Sequence, residues 1–210
     1  MKILEEINPE LIEILEPYMQ WFFDTDYENL PVHKNGDWIA HNSETASARK
    51  YLQEVMSEES HKGPPELSKI RDLQAGPDIP ADHRAKSVEI NDALVKFLGA
   101  KFSAVHVFYM PSDYMGWHNN WDCPGYNILI NYNPEGKGWF KYYDKREDAI
   151  ITLHDTPGWS AKVGYYGGKN ESEDLHYWHC AGSDSPRHTF GMVIPDKDMW
   201  EMMVEDIEGC

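Results

Sequence analysis

The sequence predicts a mainly β protein with supporting helices, built as an antiparallel sandwich or barrel. After Gly99, short β-branched and aromatic runs alternate with Gly, Pro, Asn and Asp, a pattern typical of strands separated by turns. Before Gly99, apolar residues recur at three- and four-residue steps, which is typical of amphipathic helices. So many short strands indicate a two-sheet jelly roll or a cupin-like barrel, and both can enclose a ligand between their sheets.

The chain of 210 residues has the length of a single domain. We expect a mostly helical lead-in over residues 1–98, a jelly-roll core over residues 99–195 and a C-terminal helix over residues 196–210. The apolar periodicity predicts helices in the lead-in over residues 3–19, 42–56 and 81–98. Punctuation by Pro and Gly predicts an ordered loop over residues 60–80.

Seven runs after Gly99 are predicted to be strands. They are KFSAVHVFYM, YNILINYN, GWFKYYD, AIITLHD, SAKVGYYGG, LHYWHCA and RHTFGMVI. The eight tryptophans and twelve tyrosines are many for this length, and most tryptophans follow residue 116. We expect these aromatic side chains to wall a cavity.

The overall charge excludes some classes of partner. Nineteen basic and 36 acidic residues give a net charge of −17, which repels nucleic acid and anionic membrane surfaces. No apolar run approaches the roughly 20 residues that a membrane span needs, and the N-terminal residues lack the apolar region of a signal peptide. Three cysteines without a CxxC spacing predict neither a disulfide framework nor a structural zinc site. The composition therefore predicts a soluble, cytoplasmic protein without a nucleic-acid or membrane partner.

Two histidines, one amide and one arginine form the candidate chemical motif. In an extended chain, His118 and Asn120 face the same side with their Cα atoms about 6.6 Å apart. His179 is the candidate third ligand, and Arg187 follows it. Two histidines and an oxygen donor leave three positions open on Fe(II), enough for a bidentate 2-oxo acid and dioxygen. An arginine can hold the distal carboxylate of such an acid through two parallel hydrogen bonds.

From Phe102 to Ile194 the chain resembles the double-stranded β-helix core of the Fe(II)/2-oxoglutarate-dependent oxygenases, in the order of its motifs. The family pattern is a tyrosine, then H-x-D/E, a distal histidine, and an arginine followed two positions later by a hydroxyl residue. The matching residues in this sequence are Tyr109, His118, Asn120, His179, Arg187 and Thr189. The resemblance implies a double-stranded β-helix.

The resemblance also implies cofactors and roles. Fe(II) would be bound by His118, Asn120 and His179, and the carboxylate of 2-oxoglutarate by Arg187 with Tyr109 and Thr189. The implied activity is oxidation of a C–H bond, most often hydroxylation, on an unknown small molecule or side chain. The acidic residues Asp113, Asp122 and Asp144 favour a basic or amine-bearing substrate.

Asn120 departs from the family pattern, because a neutral amide oxygen is a weaker donor than a carboxylate. Asp122 is an alternative donor, and Lys141 is an alternative anchor for the distal carboxylate. Halogenating members have a small residue at the position of Asn120, so the asparagine does not predict a halogenase. Two other functions stay open: a non-catalytic jelly roll that binds a metal or ligand, and a cupin-like metalloenzyme that does not use 2-oxoglutarate. Other histidines, such as His106 and His188, are expected to have structural roles.

Overall fold

Eleven strands and five α-helices make up the described part of the computed structural model, which covers residues 1–37, 41–57 and 65–209. The strands are β1 Lys2–Leu4, β2 His33–Asn35, β3 Ser68–Asp72, β4 Phe102–Tyr109, β5 Asp113–His118, β6 Gly125–Asn133, β7 Gly138–Asp144, β8 Ala149–His154, β9 Gly158–Tyr166, β10 His179–Ser183 and β11 Arg187–Ile194. The helices are α1 Pro9–Phe23, α2 Ser43–Ala46, α3 Arg49–Ser57, α4 Ala81–Phe97 and α5 Lys197–Ile207.

The strands form two layers joined at one edge. One layer has the order β1-β9-β6-β11-β4, and the other has the order β5-β10-β7-β8. Strand β3 pairs with β4 in the first layer and with β5 in the second, and β2 pairs with β3. Every pairing is antiparallel. This barrel-like arrangement behind N-terminal helices confirms the predicted double-stranded β-helix.

The alternation of side chains along each strand decides what faces the helices and what faces the space between the layers. In β11, His188 and Phe190 pack against aromatic residues of α1, whereas Arg187 and Thr189 face the interior. Helices α1, α4 and α5 contribute buried residues such as Leu15, Leu94 and Ile207 to the core over the first layer. Helix α3 covers the second layer. None of the helices in the described ranges is long and apolar enough to cross a membrane.

The first predicted helix begins later than its apolar pattern indicated. Residues 2–4 form β1 beside β9, and α1 starts at Pro9. The side chain of Asn8 caps this helix by accepting a hydrogen bond of 2.8 Å from the Glu10 N–H, and proline is favoured at the first helical position because its missing N–H is not needed there. Residues 3–8 were therefore wrongly predicted as helical.

The segment predicted as one helix over residues 42–56 is two helices. Asn42 caps α2 through a hydrogen bond with the N–H of Thr45, as expected of an N-cap residue. The chain leaves the helical region at Ser47, whose hydroxyl accepts a hydrogen bond of 2.9 Å from the amine of Lys141. The helices predicted over residues 81–98 and 196–210 are confirmed as α4 and α5, although α5 ends at Ile207 and Cys210 lies outside the described residues.

The lead-in is less helical than predicted because three short strands, β1, β2 and β3, complete the barrel. Strand β3 lies inside the predicted loop of residues 60–80, of which residues 60–64 lie outside the described part of the chain. Short strands carry little local signal, since their stability comes from pairing with distant partners.

Candidate active site

A cavity of about 310 Å³ lies between the two layers. Its lining includes the residues of the candidate motif and the alternative donor Asp122: Tyr109, His118, Asn120, Asp122, His179, Arg187 and Thr189. Much of the remaining lining is apolar, with Val105, Val107, Met115, Leu129 and Ala181 among the contributors. The fold thus brings together residues that are up to 80 positions apart in the sequence.

His118 and His179 face each other across the pairing of β5 with β10. The two residues are register partners, and their ring centroids lie 4.1 Å apart. His118 is 6% exposed and His179 is 5% exposed. The alternation of the strands therefore turns two imidazoles toward one point in the cavity.

Each of these imidazoles is held in the tautomer that a metal ligand needs. The Nδ1 atom of His118 lies 2.8 Å from the carbonyl oxygen of Gly116, and Nδ1 of His179 lies 2.8 Å from that of Tyr177. A carbonyl oxygen can only accept, so Nδ1 donates and the lone pair is on Nε2. Burial lowers the pKa of His179 to about 4, although the hydrogen bond that it donates to the carbonyl oxygen of Tyr177 acts in the opposite direction. His179 is therefore neutral at neutral pH.

Asn120 lines the same cavity as the two histidines but lies on neither of their strands. Strand β5 ends at His118, and the carbonyl oxygen of Asn120 accepts a hydrogen bond of 3.0 Å from the N–H of Cys123, which closes a turn. The side chain of Asn120 is half-buried and lines the cavity. The extended geometry considered for His118 and Asn120 does not reach Asn120, because this turn bends the chain after Asn119.

The donors available to a metal in this cavity are two imidazole nitrogens, from His118 and His179, and one amide oxygen, from Asn120. Within residues 1–37, 41–57 and 65–209, no three side chains of His, Cys, Asp or Glu are placed to hold a metal ion. Asp122 is exposed and lines the cavity, but it does not form such a group with His118 and His179. An amide completes the set only weakly, since oxygen-preferring and imidazole-preferring metals bind a charged carboxylate more strongly.

Arg187 is fixed at the inner end of the cavity by three buried hydrogen bonds. Its Nε donates to Asp155 at 2.6 Å, Nη1 donates to Thr189 at 2.7 Å, and Nη2 donates to Asn131 at 2.6 Å. These bonds use three of the five N–H groups of a guanidinium. The guanidinium also lies 5.2 Å from the ring centroid of Tyr109. Burial raises the pKa of Tyr109 to about 12, so its hydroxyl stays protonated.

Asp155 joins Arg187 to a second buried cation, Lys162. The ammonium of Lys162 and the guanidinium of Arg187 contact different oxygens of the Asp155 carboxylate. Burial alone would raise the pKa of Asp155, but the two cations outweigh it and lower the pKa to about 2. Burial lowers the pKa of Lys162 to about 8, against the opposing effect of Asp155. We call Asp155, Lys162 and Arg187 the charge triad.

Several residues that the sequence raised lie elsewhere. Lys141 bonds to Ser47 on the outer face, so it does not replace Arg187. Asp113 is buried in ion pairs with Lys69 and Arg71. The side chain of Asp144 caps a turn by accepting from the N–H of Arg146. Neither aspartate lines the cavity, and Asp122 is the single member of the three expected acidic residues that does.

The aromatic wall also differs from expectation, since none of the tryptophans within residues 1–37, 41–57 and 65–209 lines the cavity. Trp117 and Trp178 pack with α3 on the outer face of the second layer. The aromatic lining comes from Tyr109, Phe140 and Tyr166. The bulky tryptophans stabilise the outer core, and smaller side chains leave room inside.

The sequence did not single out Asn131, Asp155, Lys162 or Tyr166. In the runs NILINYN and SAKVGYY, polar residues alternate with apolar ones, a pattern that usually indicates a solvent-facing polar side. Here the polar side faces the barrel interior. The one available signal was the polar face shared by the two neighbouring strands, β6 and β9.

No family model and no curated protein matches the chain. Among solved structures, its neighbours over most of the chain are 2OG-Fe(II) oxygenases at low identity. A Pseudomonas putida prolyl-4-hydroxylase shares 12% identity with a TM-score of 0.35, over 88% of this chain and 99% of that one. A Trichoplax adhaerens prolyl hydroxylase, solved with a hypoxia inducible factor peptide, shares 12% identity with a TM-score of 0.42, over 96% of this chain and 86% of that one. A Burkholderia pseudomallei oxidoreductase of the 2OG-Fe(II) oxygenase family shares 8% identity with a TM-score of 0.35, over 85% and 90%.

Proposed function

We propose that this protein is a non-haem Fe(II)- and 2-oxoglutarate-dependent oxygenase that hydroxylates a small molecule or a side chain. One observation carries the proposal. Two histidines with Nδ1 bound to carbonyl oxygens and an arginine with a neighbouring threonine line the same cavity. The two histidines suit a metal, and the arginine with its threonine suits a carboxylate.

The metal would be held by the Nε2 atoms of His118 and His179 and by the amide oxygen of Asn120. Bound Fe(II) would supply the dioxygen chemistry, in which 2-oxoglutarate is decarboxylated to succinate and a substrate C–H bond becomes C–OH. Gly116 and Tyr177 fix the ligand tautomers through their carbonyl oxygens. Hydrogen bonds donated by the Nδ1–H groups also make the imidazoles more basic, which strengthens metal binding.

The protein groups at the inner end would orient the 2-oxo acid. Arg187 is immobilised by Asp155, Thr189 and Asn131, so little side-chain entropy is lost when it binds a carboxylate. The hydroxyl of Tyr109 lines the cavity next to the guanidinium and can donate to the same carboxylate. The hydroxyl of Thr189 donates to Asn131 at 3.0 Å, so it would donate to the carboxylate only after leaving Asn131. The apolar remainder of the lining limits water at the site.

The test is an anaerobic titration of metal-free protein with Fe(II) and then 2-oxoglutarate, followed by visible absorption. A 2-oxo acid chelated to iron gives a charge-transfer band. We expect this band in the wild type and in Arg146→Met, an exposed control, but not in Arg187→Met. Iron binding without the band would favour a cupin-like metalloenzyme that does not use 2-oxoglutarate.

A second function, a non-catalytic jelly roll that binds a ligand, is favoured by one observation. The third donor next to the histidines is the neutral amide of Asn120, and the described residues provide no acidic replacement. For such a protein, Fe(II) at millimolar concentration would not raise the melting temperature, whereas a metal that binds the folded state must raise it by mass action.

A further inference from the structure

The charge of Arg187 is largely cancelled before any ligand arrives. The carboxylate of Asp155 contacts Arg187 through Nε at 2.6 Å, and all three members of the charge triad are buried, with Lys162 at 0% and Arg187 at 1% exposure. A buried guanidinium paired with one carboxylate is a neutral unit. Arg187 alone can therefore donate hydrogen bonds to a bound anion, but its charge attracts that anion only weakly.

Lys162 changes this balance. Its ammonium contacts the other oxygen of the same carboxylate, so two cations share one anion. An excess of one positive charge is thus buried at the inner end of the cavity. A buried charge without a partner is costly, and an anionic ligand beside Arg187 would remove that cost.

We propose that Lys162 is a positioning residue for the carboxylate ligand: it supplies the net positive charge of the charge triad, and the ligand binds more weakly when Lys162 is deprotonated. This inference rests on the proposed function for the identity of the ligand, a 2-oxo dicarboxylic acid. The arrangement selects a singly charged group at this end of the cavity, because one carboxylate makes the buried cluster neutral.

The surroundings of Lys162 contain few other charges. Asp155 and Arg187 are its charged neighbours, and the adjacent strand β1 places Ile3 opposite it. Lys2 of β1 is held at the surface by Glu208. On the other side β6 contributes Leu129 in register. Lys162 therefore titrates mainly against the charge triad.

The sign of the pH dependence follows from the lowered pKa of Lys162, about 8 without ligand. A bound carboxylate favours the ammonium and raises this pKa. Below pH 8 Lys162 is already protonated, so its titration does not change the affinity for the ligand. Above pH 8 Lys162 is deprotonated in the ligand-free protein and must take up a proton when the ligand binds. The affinity then falls, by at most about tenfold per pH unit.

The experiment is isothermal titration with 2-oxoglutarate and with succinate, at saturating Mn(II) as a stable substitute for Fe(II), between pH 6.5 and 9.5. The variants are Lys162→Met, which keeps the length of the side chain, and Lys169→Met, an exposed control. We expect Lys162→Met to bind 2-oxoglutarate about tenfold or more weakly at pH 7, and to lose the decline above pH 8 that the wild type and the control show. Circular dichroism and melting of each variant test that it is folded, and Lys162→Gln replaces Lys162→Met if the latter is not.

The outcomes separate this inference from the proposed function. Equal affinity and equal pH profiles in the wild type and the folded Lys162 variant would overturn the role of Lys162 while leaving the proposed function intact. Binding of succinate with the expected profile, but no binding of 2-oxoglutarate, would support the role of Lys162 and contradict the proposed function. Binding of neither acid by the wild type would overturn both.

Discussion

The ring of Tyr166 lies parallel to the ring of His179, with centroids 4.8 Å apart and planes 6° apart. Phe140 is also stacked on His179, at 5.4 Å and 17°. Together with the hydrogen bond from Nδ1 to Tyr177, these contacts fix the position and the rotation of the imidazole. An imidazole that is already held rigidly would lose little conformational entropy on binding a metal.

We expect the hydroxyl of Tyr166 to contact a ligand bound in the cavity. It is buried, it has no hydrogen-bond partner within the part of the chain that the structure describes, and the residue lines the cavity. Burial raises the pKa of Tyr166, so the hydroxyl remains a donor. We expect Tyr166→Phe to keep the ring stacking, to stabilise the ligand-free protein by about 1 kcal/mol, and to weaken 2-oxoglutarate binding by about threefold to tenfold.

The neighbouring residue offers a matched control. The hydroxyl of Tyr165 bonds to Glu171 on the surface, so Tyr165→Phe should leave 2-oxoglutarate affinity unchanged. Urea unfolding gives the stabilities, and calorimetric titration gives the affinities. If Tyr166→Phe binds the acid as tightly as the wild type, the hydroxyl does not contact this ligand.

Part of the site was predictable because strands alternate and the motif residues other than Asn120 lie on strands. Strand β5 was not among the seven predicted runs, and its pairing with β10 places His118 opposite His179. The sequence could not predict the charge triad, since Lys162 in an alternating strand resembles a surface lysine and its burial depends on Asp155, which lies in a loop. The turn that displaces Asn120 from β5 depends on a hydrogen bond to Cys123, which the periodicity does not report.

Restoring a carboxylate at position 120 should strengthen metal binding. Asn120 lines the same cavity as both histidines, and aspartate would place a negative charge there at the same length. We expect Asn120→Asp to bind Fe(II) or Mn(II) about tenfold more tightly, measured by anaerobic competition with a chelator. Asn170→Asp adds the same charge at an exposed position and should have no effect. Unchanged affinity in Asn120→Asp would mean that this side chain does not contact the metal.

Gly138 packs directly against the charge triad, so a methyl group added at this position should disturb the triad. A Cβ at this position would collide with Asp155 and would lie 2.7 Å from Cδ of Arg187. We expect Gly138→Ala to lower the free energy of unfolding by about 1–3 kcal/mol and to weaken 2-oxoglutarate binding, because both charged side chains must move.

A second glycine separates this effect from a general effect of alanine in a strand. At Gly164, a Cβ would meet the flexible side chain of Met1 at 3.2 Å, so Gly164→Ala should leave 2-oxoglutarate affinity unchanged. Wild-type affinity in Gly138→Ala would contradict the assignment of the carboxylate to this end of the cavity.

Two buried histidines outside the cavity should make the fold sensitive to acid. His106 bonds to Ser87 at 2.7 Å, and His188 is enclosed by aromatic residues such as Phe22, with ring centroids 4.3 Å apart. Burial lowers the pKa of His106 to about 3. The pKa of His188 is lowered well below its usual value, mainly by burial and to a smaller extent by repulsion from His106. Both side chains are therefore neutral in the folded state at pH 5, whereas unfolded histidines titrate near pH 6.5.

Because the unfolded chain binds more protons below pH 6.5, stability must fall as the pH decreases from about 6.5 toward 3. Each of these histidines contributes about 2 kcal/mol to the loss between pH 7.5 and 5. We expect His188→Phe to remove about that amount from the loss, since phenylalanine has no proton to gain and fits the aromatic surroundings. Urea unfolding at both pH values measures the difference, and exposed His154→Gln should behave as the wild type. An equal loss in His188→Phe would show that the acid sensitivity in this pH range arises elsewhere, for example at His179, whose lowered pKa acts in the same direction.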